Sequence, residues 1–234
     1  MMINSFNIKF NSKGFDSRTL CIPASLIILS TSIAYGDGVQ NFYKAFLCLC
    51  ASLISFLFVS IIIILCRSGN STIRTKAITI EREVLKSFFI ILTTCALLGL
   101  LYFIQTRELH SAAILSGVSP GLFFICLYTL YKLKILEERS HFENLTSNNR
   151  ALKTFYQLQY MFCIITSCLI PVLIYFMITD HIAILGCSSI ILLSVNLIHR
   201  LLVKPSFDSY KYSFSATYLL LGLYIAFFSI GWII

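Results

Sequence analysis

Apolar residues occupy this chain in long unbroken runs, not in the alternating or three-to-four spacing of elements with one wet face. A helix crosses a hydrocarbon core of about 30 Å with about 20 such residues. Seven runs meet or come near that length: residues 20 to 35, 43 to 66, 87 to 106, 111 to 131, 157 to 179, 181 to 198 and 213 to 234. They predict an all-α, polytopic transmembrane bundle, a single helical domain over residues 20–234 behind a polar, basic tail of residues 1–19. Pro23, Pro120 and Pro171 fall inside the runs, where neighbouring helices satisfy the carbonyls a proline frees. No short apolar core with a small-residue cleavage site opens the chain, so the first run reads as a retained span.

Composition sharpens the class. Of 234 residues 58% are hydrophobic and 12% charged, with a mean hydropathy of +0.86. A soluble domain carries about twice that charged fraction, which excludes a soluble globular fold. The net charge is +8, and its distribution follows the spans. Lys9, Lys13 and Arg18 lie in the tail; Arg67, Arg74, Lys76, Arg82 and Lys86 in the second loop; Lys132, Lys134, Arg139, Arg150 and Lys153 in the fourth; Arg200, Lys204 and Lys211 in the sixth. Only Lys44 and Arg107 are left for the other side. Lys and Arg collect in cytoplasmic loops, so the amino terminus is predicted in the cytoplasm and the carboxyl terminus outside. The positive excess is then topological, and no nucleic-acid partner is needed to explain it.

Other polar residues narrow the function. No Asp or Glu lies within a run, and His110, His141, His181 and His199 sit near run ends. Ion-coupled transporters and proton pumps place ionisable groups at membrane depth, which counts against that class. The nine cysteines fall in or beside apolar runs without a CxxC pair, the pattern of small packing residues and not of a disulfide framework or a zinc site. The sequon Asn144-Leu145-Thr146 lies in a loop predicted to be cytoplasmic and reads as chance.

Chemistry is concentrated in two loops on the predicted cytoplasmic side, residues 66 to 87 and 195 to 213. Ordinary positive-inside loops touching anionic lipid account for them. The functional alternative is a cytoplasm-facing cavity in which Arg67, Arg74, Lys76, Arg200 and Lys204 hold the phosphates of a lipid-linked substrate.

Residues 16 to 38, DSRTLCIPASLIILSTSIAYGDG, resemble the opening of the UbiA superfamily of membrane prenyltransferases. Ser68-Gly69-Asn70 with Arg74 and AITIEREVLKSF, and the stretch ITDHIAILGCSSIILLSVNLIHR over residues 178 to 200, resemble the surroundings of that family's two Asp-rich motifs. The nearest likeness is to the enzymes that prenylate 1,4-dihydroxy-2-naphthoate in menaquinone synthesis. The resemblance implies a UbiA-like bundle, a polyprenyl diphosphate donor, an aromatic acceptor and Mg2+ held by two N-D-x-x-D motifs.

At those motifs the chain departs from the family. Alignment on Gly69 places Ile61, Ile62 and Leu65 where the first Asn and its two Asp stand. In the second motif Asn196 survives, while His199 or Arg200 replaces the first Asp and Val203 or Lys204 the second. Glu81, Glu83 and Asp208 are the carboxylates left as candidate metal ligands. The family has nine spans and the run pattern here has seven, as expected of a truncated or decayed relative. The expectations are therefore a UbiA-like transferase, active or degenerate, or a non-enzymatic polytopic protein that binds an isoprenoid or quinone or serves transport or assembly. A bacterial inner membrane, with a homo- or hetero-oligomer open to it, is the expected setting.

Overall fold

The computed structural model describes residues 21–38, 80–140, 147–178, 181–203 and 206–234, and among them every regular element is helical. The elements are α1 (Cys21–Gly36), α2 (Ile80–Thr106), α3 (Ser111–Ser116), α4 (Val118–Ser140), α5 (Ser147–Ile178), a 3-10 segment (Ile182–Ser189), α6 (Ile190–Val203) and α7 (Phe207–Ile233). Among the described residues five stretches are long and apolar enough to cross a membrane: Glu83–Thr106, Ser111–Glu137, Arg150–Met177, Ile182–Val203 and Ser209–Ile233. α1 is a shorter apolar helix. The predicted span over residues 43 to 66 lies outside the described residues, as does the tail of residues 1–19.

Contacts between helix ends define two poles. Tyr102 near the end of α2 donates to Asp37 beyond α1 at 2.6 Å, and the His181 ring lies 5.3 Å from that of Trp232 at the end of α7. At the opposite pole Lys153 at the start of α5 pairs with Glu137 near the end of α4 at 2.6 Å, and Arg200 of α6 lies over Tyr212 of α7. Arg82, Lys86, Lys132, Lys134, Arg139, Arg150, Lys153, Arg200 and Lys211 all sit on helix turns at this second pole. Among the described residues Arg107 is the one Lys or Arg at the first. The poles are called below the charged and the uncharged end.

Where the helices outrun the apolar runs, they do so at the charged end. α2 begins at 80 and not 87, α4 continues to 140 beyond 131, α5 starts at 147 before 157, α6 reaches 203 beyond 198, and α7 starts at 207 before 213. Hydropathy marks the hydrocarbon layer, whereas backbone hydrogen bonding continues past it while long cationic side chains keep their heads in water.

Two predicted spans are not single α-helices. The run 111 to 131 breaks at Gly117 into α3 and α4. Pro120 lies inside the Ser111–Glu137 span, as expected, and falls in the first turn of α4, where its missing N–H costs nothing. The run 181 to 198 enters as eight residues of 3-10 helix, longer than the usual three or four. Gly231 of α7 explains the fit, since a Cβ there would stand 2.7 Å from the backbone carbonyl carbon of Ala183. The 3-10 backbone lies directly on α7.

Helices in lipid gain little from apolar burial against one another, so small residues and polar contacts hold them. Gly117 and Gly121, four apart, bring the start of α4 onto α2, and a Cβ on Gly117 would meet the Cα of Cys95 at 2.8 Å. α4 is the most enclosed span, and α2 and the Ile182–Val203 span are the least. The outward residues Phe88, Phe89, Leu92 and Leu100 of α2 are exposed, as suits contact with acyl chains. Within the uncharged half, Tyr224, Phe228 and Trp232 stack in turn along α7 at 5.9 and 5.7 Å between centroids, and Phe123 of α4 closes on Tyr224. All four are buried.

Candidate functional site

The charged end gathers the sequence candidates that the structure describes. Arg67, Arg74, Lys76 and Lys204 lie outside the described residues. On α6, Ile190, Ser194, Leu197 and Leu201 form the buried face. Asn196 and Arg200, one turn apart, lie on the exposed face with His199. The Arg200 guanidinium sits 4.5 Å from the centre of the Tyr212 ring, a cation–π contact that fixes its head at the surface. Asn196 and Arg200 thus share one outward face.

The carboxylates separate. Glu81 is exposed, while Glu83, two residues on and so turned to a different side of α2, is 1% exposed. Both stand in the first turn of α2, where negative charge is favoured by the helix dipole. Glu83 pairs with Lys86 at 2.5 Å and accepts a hydrogen bond from the Tyr128 hydroxyl of α4 at 2.9 Å. Lys132, one turn beyond, lies over the Tyr128 ring. Asp208 stands in the first turn of α7, behind the cap in which the Ser206 hydroxyl accepts from the Ser209 amide at 3.2 Å.

A polar seam continues inward from Glu83. The Ser87 hydroxyl donates to the Glu83 carbonyl at 3.0 Å, and the Gln159 amide of α5 donates to the Ser87 hydroxyl at 2.7 Å. Gln157 donates at 2.8 Å to the carbonyl of Leu201, one of the last-turn carbonyls α6 leaves without an internal partner. One turn deeper, the Tyr160 hydroxyl and Thr217 Oγ1 are 2.9 Å apart, linking α5 to α7. α2, α4, α5, α6 and α7 are thereby tied at this end by hydrogen bonds.

This donor set does not fit the Mg2+ that the family resemblance implies. Magnesium takes near-octahedral oxygen ligands, usually one or two free carboxylates with waters, whereas Glu83 is engaged by a lysine and a tyrosine. Among the described residues no three His, Cys, Asp or Glu side chains converge on one point. What the end offers is positive charge with hydrogen-bond donors, suited to anionic head groups. Sequence reading missed the burial of Glu83; its signal was the i, i+3 spacing to Lys86, which pairs opposite charges along a helix. Compared with family models, curated proteins and solved structures, the chain matches none.

Proposed function

We propose that this integral membrane protein is a UbiA-like prenyltransferase homologue of the menaquinone-synthesis kind that binds a polyprenyl diphosphate and has lost magnesium-dependent transfer. One observation carries the reading: cations collect at one pole of the bundle while the deepest carboxylate there, Glu83, is held by Lys86 and Tyr128. Arg forks and Lys point charges bind diphosphate without a metal. The charged end faces the cytoplasm of a bacterial inner membrane in this reading, and a reporter fused after Ile234 is active only outside. A reporter active in the cytoplasm reverses that orientation.

The test is made on purified protein with a polyprenyl diphosphate and an aromatic acceptor. The expected result is no diphosphate release above a membrane blank with Mg2+, donor binding that persists in chelator, and weaker binding for Arg200→Ala. Turnover with Mg2+ restores the transferase. Loss of all donor binding leaves the second reading, a non-enzymatic polytopic protein in transport or assembly, which the outward placement of Asn196 and Arg200 favours.

A further inference from the structure

Three side-chain hydroxyls just inside the charged end have no satisfied hydrogen bond among the described residues: Tyr156 of α5 and Tyr210 and Ser213 of α7. They are 1%, 1% and 0% exposed. The Tyr160–Thr217 contact fixes the level of α5 against α7. Tyr156 lies one turn from Tyr160, and Ser213 one turn from Thr217, both toward the charged end; Tyr210 follows Ser213 in the same direction. The three hydroxyls therefore belong to one stretch of interior. At its edge stands Glu83, whose carboxylate Tyr128 reaches directly and the Tyr156 hydroxyl approaches. Tyr210 lies in electrostatic range of a second carboxylate, Glu137.

A buried hydroxyl with no partner costs about 1 to 3 kcal/mol, and native proteins almost always satisfy such groups with protein or with ordered water. We infer that the interior between α5 and α7 binds ordered water, which satisfies Tyr210 and Ser213 and completes the hydrogen bonding of Tyr156. The class of ligand is a small neutral oxygen that both donates and accepts. Leu133, Leu152 and Leu201 around it are 0 to 4% exposed, an enclosure that suits water and not a head group with a chain attached. The water forms an inward extension of the seam from Lys86, whose side chain is 43% exposed, toward the Tyr160–Thr217 level. This site is independent of the diphosphate reading.

Radiolytic hydroxyl labelling of the full chain in lipid nanodiscs, in 18O water, tests it. Tyr156 and Tyr210 are expected to carry severalfold more label than Phe123 and Phe228, which are equally buried and apolar. Tyr156→Phe is expected to lower Tm by about 2 to 4 °C, the loss of about one hydrogen bond in a chain of this size. Labelling no higher than at the phenylalanines, or a rise in Tm for Tyr156→Phe, overturns the inference. Labelling that emerges only after lipid extraction assigns the space to an organic head group and overturns it equally.

Discussion

The Ser119 hydroxyl of α4 donates at 3.1 Å to the carbonyl of Ser167, which Pro171 four residues later deprives of its helical partner. α5 therefore keeps a proline inside a membrane-spanning stretch, and the break becomes a bond to its neighbour. Ser119→Ala is expected to cost about 1 to 2 kcal/mol. In a Pro171→Ala background the helix recovers its own hydrogen bond, and the same change becomes nearly neutral. Thermal unfolding of the four proteins in one detergent measures this coupling; equal costs in both backgrounds contradict it.

The Glu83–Lys86 pair predicts an asymmetry. Lys86→Met leaves a carboxylate that is 1% exposed without its nearest counter-ion, a change expected to cost about 3 kcal/mol. Glu83→Gln leaves a lysine that swings into water and retains an acceptor for Tyr128, so about 1 kcal/mol is expected. Equilibrium unfolding in mixed micelles ranks the two, and the reverse order removes the buried-pair account.

Sequence reading was strongest where a property accumulates over many residues. The apolar runs at 87 to 106, 157 to 179 and 213 to 234 each correspond to a helix, because crossing a membrane demands length and apolarity that no other element supplies. The sorting of cations also holds for the described helices, since charge is excluded from the hydrocarbon one residue at a time. Illegible were features set by a single partner across the bundle. Nothing local marks Ser119 as the donor for Ser167, or Gly231 as the seat of the 3-10 segment. Gly117 and Gly121 did carry a signal in their spacing of four. At the candidate site, Asn196 and Arg200 share the helix face their spacing implies, while Glu81 and Glu83 divide because helical rotation turns them apart.

Arg107 follows α2 with φ at 69°, the left-handed region, and its amide donates to the Phe103 carbonyl at 2.8 Å in the usual single-bond helix cap. A side chain there costs about 1 kcal/mol relative to glycine. Arg107→Gly is expected to raise stability by about that amount, or about 2 to 4 °C in Tm. A drop in Tm assigns Arg107 a contact worth more than the strain.

Trp232 is the sole tryptophan, 1% exposed, stacked on Phe228 and with the His181 ring tilted against it. Its emission is expected to be blue-shifted, because the indole is enclosed among apolar rings and shielded from water. A steady-state emission maximum at the position of indole in water contradicts the enclosure.

Gly36 at the end of α1 accommodates Trp232 so closely that a Cβ there would lie 2.5 Å from the indole ring. These two residues are about 200 positions apart, roughly ten to forty seconds of synthesis on a ribosome. During that interval α1 waits in the membrane without the helix that seats it. A late step of assembly is therefore the arrival of α7 against α1, so the nascent protein offers α1 as a recognition surface to insertion chaperones and membrane proteases until α7 docks.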